Sequence, residues 1–198
     1  MTAAMFLLRS PSTAAVEKFL HAERREPFSY AEVGASRGQP PAGYDVDHNR
    51  VLLGSGAEAF ARAVEAINSW QMFNLGWCSV YPRRAPLVAG TTVAIIIKHF
   101  GFWSLNACRI VYLLEDEGAL RRYGFAYGTL PAHGERGEER FSVEWRPEDG
   151  SVWYDLYAFS TPARLPAKLA YPLARRLQQR FIEASKLAMV RAVRDSRA

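Results

Sequence analysis

The chain has 198 residues, 49% of them hydrophobic, which suits one domain with a sizeable core and makes a division into two unusual. Its formal net charge of +5 and pI near 9.4 would suit nucleic acid or an anionic membrane, but no Lys/Arg run is interleaved with aromatics, so a nucleic-acid partner is not expected. Cys78 and Cys108 lack CxxC spacing, which argues against a disulfide framework or a cysteine metal site and for reduced thiols in the cytoplasm.

The apolar start, MTAAMFLL, is too short for a signal sequence or a membrane span, and no later stretch approaches a span. Ser10-Pro11-Ser12-Thr13 resembles a helix start, with a capping hydroxyl and Pro in the first turn. Val16, Phe19 and Leu20 then fall on one face, and Pro27 ends the helix. Residues 28–33 are a short strand candidate, 34–43 a Gly/Pro-rich loop, and 44–53 an extended segment. Ser55 and Glu58 have the spacing of a capping box for a helix whose buried stripe is Phe60, Val64 and Ile67, and Gly76 breaks it.

From Trp77 to Phe159 the periodicity changes. Strand patterns cover 91–100, 103–114, 123–130, 139–145 and 152–160, separated by turn-like segments. Consecutive short strands without intervening helices predict an antiparallel meander rather than a parallel βαβ sheet. In the second of these, Trp103, Leu105, Ala107, Arg109, Val111 and Leu113 share a face, opposite Ser104, Asn106, Cys108, Ile110 and Tyr112. Pro162 and Pro166 interrupt a loop before a helix over about 171–193, with Pro172 in its first turn. Leu173, Leu177, Phe181, Ala184 and Ala188 edge its apolar face, and Ile182, Ser185, Met189 and Ala192 widen it to about half the circumference. Such an arc calls for a concave partner, which a curved sheet supplies. Arg175, Arg176, Arg180, Arg191, Arg194 and Arg197 read as a solvated face and tail.

Three motif matches carry little. Gly34-Ala35-Ser36-Arg37-Gly38 fits the GxSxG nucleophile elbow, but Gln39-Pro40-Pro41 cannot open the helix that motif requires. Gly54-Ser55-Gly56-Ala57-Glu58-Ala59 approaches a dinucleotide fingerprint, yet no acidic residue follows the helix and no βαβ unit is predicted, so no cofactor is expected. Asp45, Asp47 and His48 cluster without a metal-binding spacing and read as surface loop, so no metal is expected.

Several segments together resemble an uncharacterised family, domain of unknown function nineteen-ninety. They are FSYAEVG (28–34), PAGY (41–44), LGSG (53–56), WQMF (70–73), Gly76-Trp77, FAYGTLPAHGERGEERF (125–141), Ala158-Phe159-Ser160 and Arg175-Arg176-Leu177-Gln178. The resemblance runs from about Phe28 to Val193, which leaves 1–27 as an N-terminal helical extension of a single domain over 28–198. Family and element order are similar to the helix-grip group of START domains, polyketide cyclases and birch-pollen allergens. The implied fold class is α+β, with a curved antiparallel sheet wrapped around a long C-terminal helix. The group's members enclose an apolar cavity there, some as carriers and others as cyclases, so fold alone does not decide between binding and catalysis.

The sequence supplies candidates for that cavity's walls. Trp70, Phe73, Trp77, Trp103, Phe125, Tyr127, Phe141, Phe159 and Phe181 either line it or fill the core, and Ser185 and Met189 face it from the helix. Arg109, Tyr127, Thr129 and Glu139 are expected as a polar patch inside, with an Arg109–Glu139 pair able to anchor a carboxylate or phosphate. The alternative is that Arg109 is a structural ion-pair partner or points to solvent. His133 sits in a turn that could border the mouth. Three functions follow: a binder of an apolar or amphipathic, lipid-like small molecule; a cyclase- or hydrolase-like enzyme using the same patch; or an interaction protein that binds a polyanion through its basic C-terminal helix.

Overall fold

A computed structural model describes residues 5–163 and 171–195. Among them, eight strands form one antiparallel sheet. They are β1 (Met5–Leu7), β2 (Asp45–Ser55), β3 (Cys78–Tyr81), β4 (Thr92–His99), β5 (Phe102–Glu117), β6 (Arg121–Thr129), β7 (Glu135–Trp145) and β8 (Ser151–Pro162). Three helices accompany them: α1 (Thr13–Glu23), α2 (Gly56–Asn68) and α3 (Tyr171–Asp195). The strand order is β2-β8-β7-β6-β5-β4-β3, and β1 pairs beside the first half of β5, where β6 has already ended. The meander from β4 to β8 is the predicted one; β3 extends it at one edge and β2 at the other.

The sheet has two covered faces. On the inner face α3 reaches β2 and β8 at one side, and at the other the 3-10 turn at Gln71–Phe73 that abuts β3. Ile182, Ser185, Met189 and Val193 form its buried line. Each buried apolar side chain in that line contributes about 1.5–3 kcal/mol relative to exposure. On the outer face α1 packs Val16, Phe19 and Leu20 against Ala94, Leu105 and Ala107. The cap of α1 is Ser12, whose hydroxyl accepts from the Ala15 N–H, so Pro11 precedes the helix instead of occupying its first turn.

Several expectations are corrected. Residues 28–33 form no strand. Tyr30 instead lies over Gly128, where an added Cβ would meet its hydroxyl at 2.1 Å. Ser29 bonds the Thr129 carbonyl and hydroxyl. The capping box does not form: Ser55 remains the last paired residue of β2, opposite Ser151, and its side chain makes no cap bond. Helix α2 buries Ala59, Ala63, Ala66 and Ile67, small side chains that admit the helix close to the sheet and leave Phe60 and Val64 at the margin. Asp45, Asp47 and His48 belong to β2, not a loop, and alternation sends Asp47 inward and His48 outward onto Asp155. Pro162 ends β8, paired with Glu135, rather than interrupting a loop; Pro166 and Arg197 lie outside the described residues. The short strand β3 had no period-2 pattern long enough to reveal it.

Arg176, Arg180, Arg191 and Arg194 are exposed on α3 as expected, whereas Arg175 is half-buried. Arg175 grips Asp47 with two bonds, at 2.6 and 2.8 Å, and the Arg180 guanidinium lies 4.3 Å from the centre of the Trp77 ring. No helix among the described residues is long and apolar enough to cross a membrane.

Candidate functional site

Between the inner face of the sheet and α3 lies a cavity of about 520 Å³. Its walls are mostly apolar. Phe73, Trp77, Ile95, Ile97 and Leu156 line one side, and Leu173, Leu177, Phe181 and Ile182 of α3 the other. An aromatic cluster closes its base: the Phe73 ring lies 5.2 Å from Phe181 and 5.3 Å from Phe141, and Phe141 in turn 5.3 Å from Tyr127. Offset and edge contacts of this kind add about 0.5–1.5 kcal/mol each beyond burial, which makes a firm floor.

Strand alternation decides which polar groups reach the space. One row across the inner face reads Tyr127 on β6, Glu139 on β7, Ala158 on β8 and Asp47 on β2. Tyr127 donates to Glu139 Oε2 at 2.7 Å. Burial pushes the Glu139 carboxyl from its ordinary 4.5 up to about 8; the Tyr127 bond opposes this, while Glu135 and Asp47 add to it. The surface that Glu139 retains belongs to the cavity wall. Burial also raises Tyr127 well above the ordinary phenol value, with the Glu139 charge adding to it.

The mouth is polar. Gln178 of α3 donates to Glu135 at 2.6 Å and to Ser160 at 3.1 Å. Burial raises the Glu135 pKa, while Gln178 and Arg175 pull it down. His133 lies on the wall; its Nδ1 accepts from the Glu135 N–H at 3.0 Å, and burial drives its pKa down to about 4. Burial likewise lowers His99. Both imidazoles on the wall are therefore neutral at pH 7.

The structure brings together Phe73, Trp77, Tyr127, Thr129, His133, Glu139 and Phe181 on the cavity wall. Thr129 holds the wall itself, accepting from the Gly137 N–H at 3.0 Å. Phe141, Trp70, Phe125, Ser185 and Met189 lie in the core around the cavity. Trp70 donates to the Ala85 carbonyl, and the Ser185 hydroxyl pairs with Tyr154. The Phe159 backbone borders the space, but its ring packs on the outer face against Tyr30 and Tyr44. Trp103 takes its place outside as well, under Lys98.

Arg109 is displaced furthest from expectation. It sits on the outer face, donates to the Glu23 and Arg24 carbonyls at the end of α1, and stacks over Phe28. No Arg109–Glu139 pair exists, because the two side chains leave the sheet on opposite sides. Alternation in β5 also changes midway. A bulge between Ile110 and Tyr112 shifts the register, so Leu113 packs into the inner core although it shares parity with the outward Arg109. Asn106, Ser104, Glu135 and Gln178, all on the wall, were not among the expected site residues. Asn106 and Ser104 were legible as the polar positions of the face opposite Arg109.

The GxSxG serine has a structural task. The Ser36 hydroxyl meets Glu138 and the Tyr112 hydroxyl, in a 3-10 turn on the outer face. Among the described residues no group of three His, Cys, Asp or Glu side chains is placed to hold a metal ion.

Residues 29–188 match the model of a family described as a domain of unknown function (DUF1990). A UPF0548 protein of Dictyostelium discoideum is 34% identical over 208 aligned residues, covering 96% of each chain. Another, of Deinococcus radiodurans, is 39% identical over 200, covering 95% of this chain and 98% of its own. Among solved structures, the ZhuI aromatase/cyclase of Streptomyces sp. R1128 superposes with a TM-score of 0.54 at 12% identity, over 78% of this chain and 97% of that one. A hypothetical protein of Helicobacter pylori gives 0.53 at 15% identity, over 76% and 88%. Such likenesses establish the helix-grip fold alone.

Proposed function

The chain belongs to the DUF1990 family, and from that premise we propose that it binds an apolar or amphipathic small molecule between the sheet and α3. The observation that carries this reading is the cavity itself. Its volume of about 520 Å³ falls within the range of small-molecule sites, and apolar walls enclose a few convergent polar groups. A protein that only needed a stable core would fill that space, because unfilled volume forfeits packing energy.

The test uses an uncharged fluorescent probe, N-phenyl-naphthylamine, with native mass spectrometry of the purified protein for co-purified ligand. Probe fluorescence should rise with the wild type. It should fail to rise with Ala158→Trp, which places a large ring in the middle of the inner row. Absence of probe binding to the wild type, or equal binding by a folded A158W, would overturn the proposal.

The Tyr127–Glu139 pair favours a second reading, proton transfer at a bound substrate, since a carboxyl poised near neutrality is suited to acid–base work. Glu139-dependent deuterium incorporation beside the carbonyl of a bound aliphatic ketone, followed by NMR, would support it. Incorporation no faster than in Glu139→Gln would dismiss it.

A further inference from the structure

Resting on the binding reading above, we infer that the cavity selects a cationic amphiphile, an amine on an apolar skeleton, and that Glu139 is the group that receives its charge. The argument begins with the charges that face the space. Asp47 from β2 and Glu135 and Glu139 from β7 line it. Arg175 of α3 is committed to Asp47 by two bonds, and Gln178 serves Glu135. His99 and His133 are neutral at pH 7, and the thiols of Cys78 and Cys108, raised by burial, stay protonated. The Tyr127 phenol is neutral too. Glu138 borders the space only from its backbone side, since its carboxylate accepts from Tyr30, Gly34 and Ser36 on the outer face.

Glu139 stands apart within this set. Its Oε2 has one donor, Tyr127, and its Oε1 makes no bond among the described residues. No ion pair reaches it there. It lies about two strand spacings from Asp47, roughly 10 Å along the row, and Arg175 is held there by Asp47. A buried carboxyl with one satisfied oxygen and like charges nearby is held neutral at a cost, and a cation relieves that cost. An anionic headgroup would meet the opposite: added like charge with no cation to receive it. The carboxylate or phosphate ligand that an inward Arg109 implied is thereby disfavoured.

Apolar walls set the second requirement. An inorganic or small hydrophilic cation would leave them uncovered, whereas an aliphatic or aryl skeleton buries against Phe73, Trp77, Leu177 and Phe181.

Three probes of one skeleton separate the terms: decylamine, decanol and decanoate, each titrated against bound N-phenyl-naphthylamine at pH 7. Decylamine should bind about tenfold or more tightly than decanol, the margin of a charge-assisted over a neutral hydrogen bond. Decanoate should bind weakest. In Glu139→Gln the preference for the amine over the alcohol should disappear. A measurement without any variant complements this. Glu139 is largely protonated at pH 7 and ionises on receiving a cation, so calorimetry in buffers of different ionisation enthalpy should register about one proton released per decylamine and none per decanol. Any other ranking, a preference that survives E139Q, or amine binding without proton release overturns the inference and leaves the cavity reading standing. If none of the three displaces the probe, or no probe binds, the cavity reading itself fails.

Discussion

Replacing Glu139 with Gln should stabilise the protein, and by an amount that grows with pH. A carboxyl whose pKa is raised in the folded state holds its proton more tightly there than in the unfolded chain. Its contribution is intact below about 4.5 and is lost progressively as pH rises through about 8. Each pKa unit is worth about 1.36 kcal/mol, so the rise from 4.5 to about 8 costs the folded state about 5 kcal/mol once the carboxyl is fully ionised. Water entering the cavity would screen the charge, which brings the expected figure to about 2–5 kcal/mol. The Gln amide preserves shape and still offers an oxygen to Tyr127, so the two proteins should be nearly equal at pH 5. Urea denaturation of both at intervals from pH 5 to pH 9 measures the difference. Other titrating groups cancel in the comparison because both proteins carry them. A difference that does not change with pH, or an E139Q protein less stable than wild type at pH 9, would refute the placement of a neutral carboxyl in the cavity.

Tyr127→Phe removes the one donor to Glu139, which now holds that carboxyl down; its pKa should climb further above 8, as read by carbon NMR titration of the side chain. Gly128→Ala puts a methyl 2.1 Å from the Tyr30 hydroxyl; overpacking of this kind costs about 1–3 kcal/mol, visible as a lower urea midpoint. Glu138→Ala strips the acceptor from the Tyr30 hydroxyl, the Gly34 and Ser36 amides and the Ser36 hydroxyl; a loss of about 3 kcal/mol or more is expected, with faster proteolysis within 28–38. Arg109→Met should leave probe affinity unchanged while costing about 1–2 kcal/mol of stability, because its bonds run to the end of α1 and not to the cavity.

The architecture was legible because its signals are periodic and long. The wide apolar arc of α3 and five consecutive strand patterns leave few arrangements other than a meander around a helix. What failed was local. Residues 28–33 include the strand-favouring Phe28, Tyr30 and Val33, yet Tyr30 finds more in the hollow above Gly128 and in Glu138 than a strand partner would supply. Ser55 and Glu58 have capping-box spacing, but the strand pairing of Ser55 fixes its backbone before the helix begins. A two-residue-period reading of β5 assumes an unbroken ladder, and the bulge at Ile110 breaks it. The row to which Arg109 belongs was identified, with Leu105 and Ala107, but α1 claims that row as a second core. An apolar face shows that something covers it; with two covered faces, periodicity cannot say which one holds the cavity.

Glu138 and Glu139 show what depends on that choice. They are adjacent and chemically alike, and alternation sends them through opposite faces of β7. Glu138 meets four donors from three residues of a surface segment, so its carboxylate is saturated and serves to pin that segment. Glu139 meets one donor, from Tyr127, and otherwise faces an apolar space. A carboxylate used for structure gathers enough donors to offset its desolvation. One left with an open oxygen beside a cavity opposes folding, and a Gln of the same shape would not. The deficit at Glu139 is therefore the feature that packing does not explain, and a cation supplied by a ligand is what would complete it.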